Sequence, residues 1–335
     1  MKRRDFVRTA FAAGLLGSWG LRSAEGLTAD RRAGASASGK DSARGPIIDV
    51  HMHAYPPEME IPALASPLSG KVPALKDGEA HLQACLAEMK RFNIVKGVVS
   101  GGSGDRIAAA LHWAETDSAR FIAGAGIRGS ADTPLPEIAA VRKRFEDHQL
   151  RVLGEVTAQY AGLTLNDAIY EPYLALAEEF DAPVGLHTGM GPPGTSYDPC
   201  CQGFRARLGN PALIEDVLNR HPKLRLNLMH AGWPYLEETV ATMVIYPQVN
   251  VDLGALGWGL PRAEFHNYLG ALVRAGFGKR IMFGSDHMFW PDLIGASVEA
   301  IDAAAFLTEE QKRDIFYNNA MQFFRLAEQP PRTPS

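Results

Sequence analysis

Eight short apolar segments alternate with longer segments of helical periodicity in this chain, and this alternation restricts the fold more than any other feature. The apolar segments are residues 47–52, 94–100, 121–127, 152–156, 183–187, 225–230, 250–253 and 281–285. Apolar strands separated by helices indicate a parallel sheet that is buried on both faces. Eight such units in about 290 residues predict an α/β fold of the (β/α)8 barrel type. A doubly wound open sheet is the alternative.

The segments between these strands have the periodicity of amphipathic helices. Helices are predicted over residues 79–92, 105–114, 135–147, 170–179, 211–219, 235–243 and 262–275. Thr308 and Gln311 have the spacing of a capping box, which predicts a last helix from residue 308 to about residue 326. The expected barrel domain is residues 45–327, and residues 328–335 are expected to form a disordered tail.

The first 44 residues differ in composition from the rest of the chain. Arg3 and Arg4 form a twin arginine that precedes an apolar stretch over residues 9–21, and a polar, Ser/Gly/Ala-rich segment follows. The apolar stretch is shorter than the about 20 residues of a spanning helix. The pattern predicts a twin-arginine signal peptide and linker over residues 1–44, with an ordinary buried helix as the alternative. Export would make the twin-arginine machinery a partner and place the protein in the periplasm or outside the cell, with no stable membrane anchor.

Net charge and cysteine content restrict the expected partners and disulfides of the chain. A net charge of −4 gives no general attraction to nucleic acid, so a small-molecule substrate is expected. The odd count of three cysteines argues against a disulfide framework. Cys85 lies in a helical pattern and is expected to be a small buried residue. Cys200 and Cys201 are adjacent, which would close a strained ring, so two free thiols are expected. Assembly into a homo-oligomer stays open.

Histidine or acidic residues stand at the ends of five predicted strands. They are His51, His53, Glu155, His187, His230 and Asp286. Residues two apart in a strand share a face, so His51 and His53 should point into the barrel and Met52 towards the helices. The C-terminal ends of barrel strands carry active sites, and a buried acid there needs a partner. Imidazole and carboxylate ligands therefore predict a site for a divalent metal, most simply Zn²⁺.

The order of these residues resembles the amidohydrolase superfamily. The contexts of His187 and His230, together with the segment Phe283-Gly284-Ser285-Asp286, are most similar to the amidohydrolase-related branch of barrel hydrolases. The resemblance covers residues 46–326. It implies that His51, His53, His187 and Asp286 are ligands, and that His230 either binds a second metal or polarises the substrate carbonyl.

One departure concerns the fourth strand. Many binuclear members carry a carboxylated lysine there, whereas this chain has Glu155 in a context similar to TatD-type hydrolases, whose glutamate bridges two ions. One ion, with Glu155 outside the ligand set, is the expectation we favour. Two ions bridged by Glu155, with His187 and His230 on the second ion, is the alternative.

The expected activity is hydrolysis of an amide, lactone or ester in a small organic substrate. A bound ion lowers the pKa of water to about 7. Asp286 can accept the proton, and His230 or a second ion can stabilise the oxyanion. Non-oxidative decarboxylation of an unsaturated or aromatic acid is an alternative, because decarboxylases of the same branch share the ligand pattern. Glu155 alone suggests a TatD-like deoxyribonuclease, and a non-catalytic metal- or substrate-binding barrel is the remaining alternative.

Aromatic and basic residues near the strand ends are candidates for substrate binding. Trp233, Trp258 and Trp290 follow strands six, seven and eight, and either line the mouth or pack helices against loops. In the long loop 188–210, Arg205 or Arg207 either clamps a substrate carboxylate or is an ordinary surface arginine. His287 either orients Asp286 or caps the turn. The other histidines are expected to be surface residues, namely His81, His112, His148, His221 and His266.

Overall fold

The computed structural model describes residues 44–102 and 105–327, and it contains all eight predicted strands in this part of the chain. The strands are β1 (Ile47–Ala54), β2 (Ile94–Gly101), β3 (Phe121–Ile127), β4 (Val152–Val156), β5 (Val184–His187), β6 (Leu226–Met229), β7 (Val249–Asp252) and β8 (Ile281–Met282). They are parallel and lie in chain order across the sheet. This order is that of the predicted barrel, whereas an open doubly wound sheet changes direction partway.

Helices follow the strands as the sequence predicts, with shifted ends. The longer ones are α1 (Gly78–Arg91), α2 (Arg106–Thr116), α3 (Ile138–Glu146), α4 (Glu171–Glu179), α5 (Glu215–Arg220), α6 (Leu236–Ile245), α7 (Leu256–Gly259), α8 (Arg262–Arg274), α9 (Asp292–Asp302), α10 (Glu309–Arg313) and α11 (Asn319–Phe323). A π-helical turn, Asp314–Asn318, joins the last two, and the Thr308–Gln311 capping box is present. The sequence prediction did not include α9, which buries eight of its eleven residues.

The first and last strands meet through backbone hydrogen bonds that close the barrel. The N–H of Val50 donates to the carbonyl of Phe283 at 3.0 Å, and the N–H of Asp286 donates to the carbonyl of His51 at 2.8 Å. Oδ1 of Asp49 accepts the N–H of Ser285 at 2.9 Å. This joint between β1 and the segment after β8 therefore carries two predicted ligands, His51 and Asp286.

An apolar plug fills the N-terminal end of the barrel. Inward residues of the strands, among them Val50, Val98 and Val152, pack with Phe323 and Phe324 at the end of the C-terminal helix. Met52 instead belongs to the layer between strands and helices, as predicted. The plug leaves the opposite end of the barrel, where the strands finish, for chemistry.

Two strands carry an extra residue beside a predicted ligand. Between Asp49 and Met52, β1 advances three residues while β2 advances two. Between Leu153 and Val156, β4 does the same against both of its neighbours. Such bulges break the alternation of side chains and re-aim them. The first explains how Val50 and His51 can both point inward, and the second lies at Glu155.

The terminal predictions lie almost wholly outside the described residues. The signal peptide and linker over residues 1–44 fall there except for Arg44, which forms an ion pair with Asp302. The tail, residues 328–335, also falls there. Within residues 44–102 and 105–327, no helix has the length and apolar character needed to cross a membrane.

Candidate metal centre

Four histidine rings converge at the C-terminal end of the barrel. The ring centroids of His51 and His53 are 5.4 Å apart, those of His51 and His230 are 5.0 Å apart, and those of His187 and His230 are 4.6 Å apart. All four residues are buried. The strand ends thus bring together side chains that are up to 179 residues apart in the chain.

Two buried carboxylates lie among these rings. Oε1 of Glu155 is 4.0 Å from Nε2 of His51 and 3.9 Å from Nε2 of His230, while Oε2 is 3.8 Å from Nε2 of His53. Oδ1 of Asp286 is 2.8 Å from Nε2 of His53 and 3.7 Å from Nε2 of His51. The structure therefore brings all six predicted ligands to one place.

The outer nitrogen of three of these rings has a hydrogen-bond partner. Nδ1 of His51 is 3.3 Å from Oδ1 of Asp252, and Nδ1 of His187 is 3.0 Å from Oε1 of Gln159. Nδ1 of His230 is 2.9 Å from the carbonyl of Gly254. Each partner accepts a hydrogen bond from an N–H group at Nδ1, which leaves Nε2 free to bind a metal.

The sequence prediction missed Asp252 and Gln159. Asp252 ends β7, and its carboxylate also accepts from Asn227 Nδ2 at 2.7 Å and from the N–H of Gly254 at 2.8 Å. A Cβ on Gly254 would lie 2.4 Å from Nδ1 of His51, so only glycine permits this close approach. An acid in the strand-seven pattern was the available sign for Asp252, whereas Gln159 stands in a turn with no distinguishing pattern.

The electrostatics of the centre call for a cation. Burial alone would lower the pKa of His51, but Asp252, Asp286 and Glu155 outweigh it and raise the pKa to about 10. Burial alone would likewise raise the pKa of Asp286, but His51, His53 and His230 lower it to about 2. Three buried carboxylates thus face the histidines, and a positive charge among them is strongly favoured.

His187 differs from His51 in its charge. Burial, and then the charge of His230, lower the pKa of His187 to about 3. His187 is therefore neutral at physiological pH, which is the form that binds metals.

Unpartnered atoms in the centre also fit a metal. Nε2 of His51 is buried and forms no hydrogen bond within the described residues. Oδ1 of Asp286 is also buried, and its 2.8 Å contact with Nε2 of His53 lacks the geometry of a hydrogen bond. Ligand atoms of His51, His53 and Glu155 lie within 4.8 Å of one another, and so do those of Glu155, His187 and His230. The donor set of imidazoles and carboxylates suits Zn²⁺ or a similar ion, so the residues fit the group.

Two of these residues have a left-handed backbone. The φ angle is 61° at His230 and 47° at Asp286. A residue with a Cβ pays about 1–2 kcal/mol for this conformation. Such a cost is typical of functional positions, where the surrounding structure holds a side chain in place.

A second cluster, formed by His81, Cys85 and His287, lies behind the centre. The prediction of His81 as a surface residue is wrong, because its ring is fully buried. His81 Nε2 and His287 Nδ1 are 2.9 and 3.0 Å from the carbonyl of Met288. Cys85 Sγ is nearly equidistant from both nitrogens of each ring, at 3.7 to 3.9 Å, so it does not lie along a nitrogen lone pair. This arrangement packs the core, and His287 contacts the Met288 carbonyl rather than Asp286.

His221 is also buried, against expectation. Its ring nitrogens lie 2.9 Å from Glu171 and 3.1 Å from Glu178, two carboxylates of α4. The two acids explain how a polar ring can be buried there.

The tryptophans occupy three different settings. Trp258 donates to the carbonyl of Ser285 at 2.9 Å, directly beside Asp286. Trp290 is buried and donates to the carbonyl of Leu64 at 2.9 Å. Trp233 donates to Glu264 at 3.1 Å on the exposed side. Contact of these residues with a substrate stays a prediction.

The loop over residues 188–210 departs from the sequence prediction in its cysteines. Cys200 and Cys201 are joined by a disulfide, so the expectation of two free thiols is wrong. Cys85 is free and buried, as expected. The Arg205 side chain is exposed and donates to the loop carbonyls of Gln202 and Phe204 at 2.8 and 2.7 Å.

Two other arginines, not predicted from the sequence, lie beside the centre. Nη1 of Arg106 and Nε of Arg128 donate to the same hydroxyl, Oγ1 of Thr157, at 3.2 and 3.3 Å. Thr157 stands two residues after Glu155. Burial, and then the charge of Arg128, lower the pKa of Arg106 to about 10. Within residues 44–102 and 105–327, neither guanidinium forms an ion pair with a carboxylate.

A phenol stands near these arginines. Tyr55 is buried, and its hydroxyl has no hydrogen-bond partner in the described part of the chain. Burial raises its pKa, and the charges of Asp286 and Glu155 add to this while Arg106 opposes it. Tyr55 is therefore close enough to Asp286, Glu155 and Arg106 to interact with their charges.

Solved structures of known proteins share this fold. The chain is similar to a protein described as a probable 2-pyrone-4,6-dicarboxylic acid hydrolase from Acinetobacter baumannii with citric acid bound, with a TM-score of 0.60, 15% identity, and coverage of 84% of this chain and 100% of that chain. It is also similar to 2,6-dihydroxybenzoate decarboxylase complexed with 2,6-dihydroxybenzoate, with a TM-score of 0.56, 17% identity, and coverage of 84% and 100%.

Sequence comparison finds a relative and a family. Protein fluG of Emericella nidulans is 23% identical over 164 residues, which are 44% of this chain and 18% of fluG. The chain thus matches less than a fifth of the length of that relative. Residues 48–326 match the amidohydrolase family. Since this match extends over nearly all of the barrel, the chain belongs to the amidohydrolase family.

Proposed function

We propose that the protein is a metal-dependent hydrolase that cleaves an amide, lactone or ester bond in a small substrate that carries a carboxylate. The convergence of six buried imidazole and carboxylate side chains, with unpartnered atoms facing one another, carries the proposal. Membership of the amidohydrolase family supports it. Zn²⁺ is the ion that best suits these ligands.

The position of Glu155 supports two ions rather than the single ion favoured from the sequence. One carboxylate oxygen faces His230 and His51, and the other faces His53. Glu155 therefore belongs to two separate groups of ligand atoms, one with His51 and His53 and one with His187 and His230. Glu155 is thus the residue that would hold both ions.

Each step of hydrolysis can be assigned to a side chain of the centre. When bound, a divalent ion lowers the pKa of a coordinated water to about 7 and polarises a carbonyl. Asp286, ionised at neutral pH, accepts the proton of the attacking water and returns it to the leaving group. His230, whose Nδ1 is held by the Gly254 carbonyl, directs Nε2 into the centre. Trp258 and Trp290 are proposed to bound the substrate cavity.

The arginine pair supports a carboxylate on the substrate. Two guanidinium groups on one hydroxyl repel each other and lack a described carboxylate partner. Arginine binds carboxylates through paired, charge-assisted hydrogen bonds. A substrate carboxylate in this place would also accept a hydrogen bond from the unpartnered Tyr55 hydroxyl.

Decarboxylation is the second candidate function, because the same arginine pair would hold a substrate whose other carboxylate is lost at the centre. The two reactions differ in the fate of water. Hydrolysis incorporates one oxygen from water into the product, whereas decarboxylation releases CO₂ and consumes no water.

The test combines metal content with isotope labelling. Purified full-length protein is expected to contain about two equivalents of divalent metal, measured by elemental analysis. Carboxylated lactones, esters and amides, and aromatic acids, are then screened in ¹⁸O-labelled water. One labelled oxygen in the product supports hydrolysis, and unlabelled product with CO₂ supports decarboxylation. A protein without metal, or inactive on both classes, contradicts the proposal.

The N-terminal sequence supports a proposal on location. We propose that the twin-arginine pathway exports the protein to the periplasm after folding. Replacing both Arg3 and Arg4 with lysine should retain the protein in the cytoplasm, as cell fractionation would show. Unchanged fractionation of this variant would contradict export by this route.

A further inference from the structure

Gln159 connects the metal centre to the long loop after β5. It lies in the short turn Ala158–Ala161 and is buried. Its Oε1 is 3.0 Å from Nδ1 of His187, and its Nε2 is 3.1 Å from the carbonyl of Gly189 and 3.2 Å from that of Arg205. A single side-chain amide thus contacts a predicted ligand and both ends of the loop.

These contacts determine which way the amide points. The Gly189 and Arg205 carbonyls only accept hydrogen bonds, so the amide nitrogen must face them. The amide oxygen then faces His187 and can only accept from it. Nδ1 of His187 therefore carries the hydrogen, and Nε2 keeps the lone pair that a metal requires.

The loop closes directly against this amide. The N–H of Gly189 donates to the carbonyl of Gly209 at 2.8 Å, which joins the two ends of the loop. A Cβ on Gly209 would lie 2.7 Å from the amide nitrogen and oxygen of Gln159. Only glycine at position 209 therefore lets the closed loop approach the amide this closely.

Aromatic contacts run beside the amide. The ring of Phe204 in the loop contacts Tyr160, with ring centroids 5.0 Å apart, and Tyr160 contacts His187 at 4.9 Å, both edge to face. Loop closure thus reaches His187 through Gln159 on one side and through Tyr160 on another.

We propose that Gln159 is a positioning residue that ties the closed loop to the Nδ1-protonated form and the orientation of His187. The consequence for metal binding rests on the function proposed above. Since coupling between two sites is reciprocal, a metal on His187 would stabilise the closed loop by the same factor by which closure tightens metal binding.

Two variants separate the roles of the amide. Gln159→Leu removes both contacts, whereas Gln159→Glu keeps the acceptor for His187 but loses the donor to the loop carbonyls. Ser196→Ala is the matched control, because it removes a loop hydrogen bond from Ser196 Oγ to the Phe204 carbonyl at 2.9 Å without touching Gln159. The native disulfide is retained throughout.

The first measurement uses metal-free protein. Nitrogen NMR of ¹⁵N-histidine-labelled protein should show His187 with its hydrogen on Nδ1 in the wild type and in Ser196→Ala, and a mixture of tautomers in Gln159→Leu. Amide hydrogen exchange in the loop should speed at least tenfold in Gln159→Leu and Gln159→Glu. An unchanged tautomer in a folded Gln159→Leu variant, or unchanged loop exchange in both variants, overturns the proposal.

The second measurement adds Zn²⁺. Metal should slow loop exchange in the wild type and in Ser196→Ala, and Gln159→Leu should bind Zn²⁺ about 10- to 100-fold more weakly in chelator competition. Loop protection by Zn²⁺ that persists in Gln159→Leu counts against coupling. A wild type that binds no metal overturns the proposed function, and the metal-free spectra still decide the role of Gln159. If Gln159→Leu does not fold, the Gln159→Glu variant decides through its loop exchange.

Discussion

Nδ1 of His51 on β1 lies 3.3 Å from Oδ1 of Asp252 on β7, across the short strand β8 that separates them. The same oxygen accepts the N–H of His230 at 3.2 Å. One carboxylate of the seventh strand therefore positions residues of the first and the sixth.

Asp252→Asn should weaken metal binding without unfolding the barrel. The amide is a poorer acceptor for His51 Nδ1, and its nitrogen would face the Asn227 amide nitrogen that now donates to Asp252. Loss of such a partner costs about 10- to 100-fold in metal affinity. Chelator competition measures this, with Asp132→Asn on the surface as the control. Affinity within twofold of wild type would show that Asp252 does not position His51.

Glu155→Ala should lower the number of bound metal ions from about two to at most one. The carboxylate belongs to both groups of ligand atoms, so its removal takes one ligand from each group. Elemental analysis after desalting measures the ratio, and the exposed Glu146→Ala serves as control. If wild type already binds one ion and Glu155→Ala keeps it at the same affinity, the bridging role is wrong.

Arg106→Met should slow the turnover of substrates that carry a carboxylate. Loss of a buried guanidinium partner should reduce kcat/KM about hundredfold, which corresponds to about 2.7 kcal/mol. The methyl ester of the same substrate should lose less than tenfold. Arg205→Ala is the informative comparison, since Arg205 is a clamp candidate that the sequence offers. A large loss in Arg205→Ala with none in Arg106→Met would reverse the assignment.

Asp49→Asn should stabilise the protein at alkaline pH. Burial raises the pKa of Asp49 to about 7, above the ordinary 3.8, despite hydrogen bonds from Ser285 and His51. The folded state therefore retains a proton that the unfolded state has lost, and its stability falls as pH rises from about 4 to 7. The asparagine oxygen can keep both backbone hydrogen bonds without this cost.

The expected difference follows from the size of the shift. It should be near zero at pH 4 and reach at most about 4 kcal/mol at pH 8 in favour of Asp49→Asn. Urea unfolding at both pH values measures it, with Asp132→Asn as the exposed control. A difference that does not change with pH would contradict a buried Asp49 with a raised pKa.

The strand positions and the six ligand candidates were predictable because both depend on local pattern. Apolar runs of strand length end in residues such as His187 and His230, and the barrel places all such ends on one rim. In the structure these residues are buried, and their ligand atoms lie close together as expected.

The hydrogen-bond partners of the ligand candidates and the β-bulges were not predictable, because they depend on contacts between distant strands. The extra residue in β1 changes which side chains point inward, and an apolar-polar pattern does not reveal it. Asp252 and His51 are 201 residues apart and meet only in the closed barrel. Arg106 begins a helix, a position from which a charged side chain is ordinarily expected to reach solvent.

The backbone bond from Asp286 to His51 places the centre across the joint where the barrel closes. Ser285 and His51 are 234 residues apart in the chain and meet at that joint. A cation shared by His51 and Asp286 would act as a clasp between the first strand and the last. Removal of the metal should therefore loosen the barrel first at the joint between β1 and the segment after β8. Unfolding would then begin at the metal centre itself.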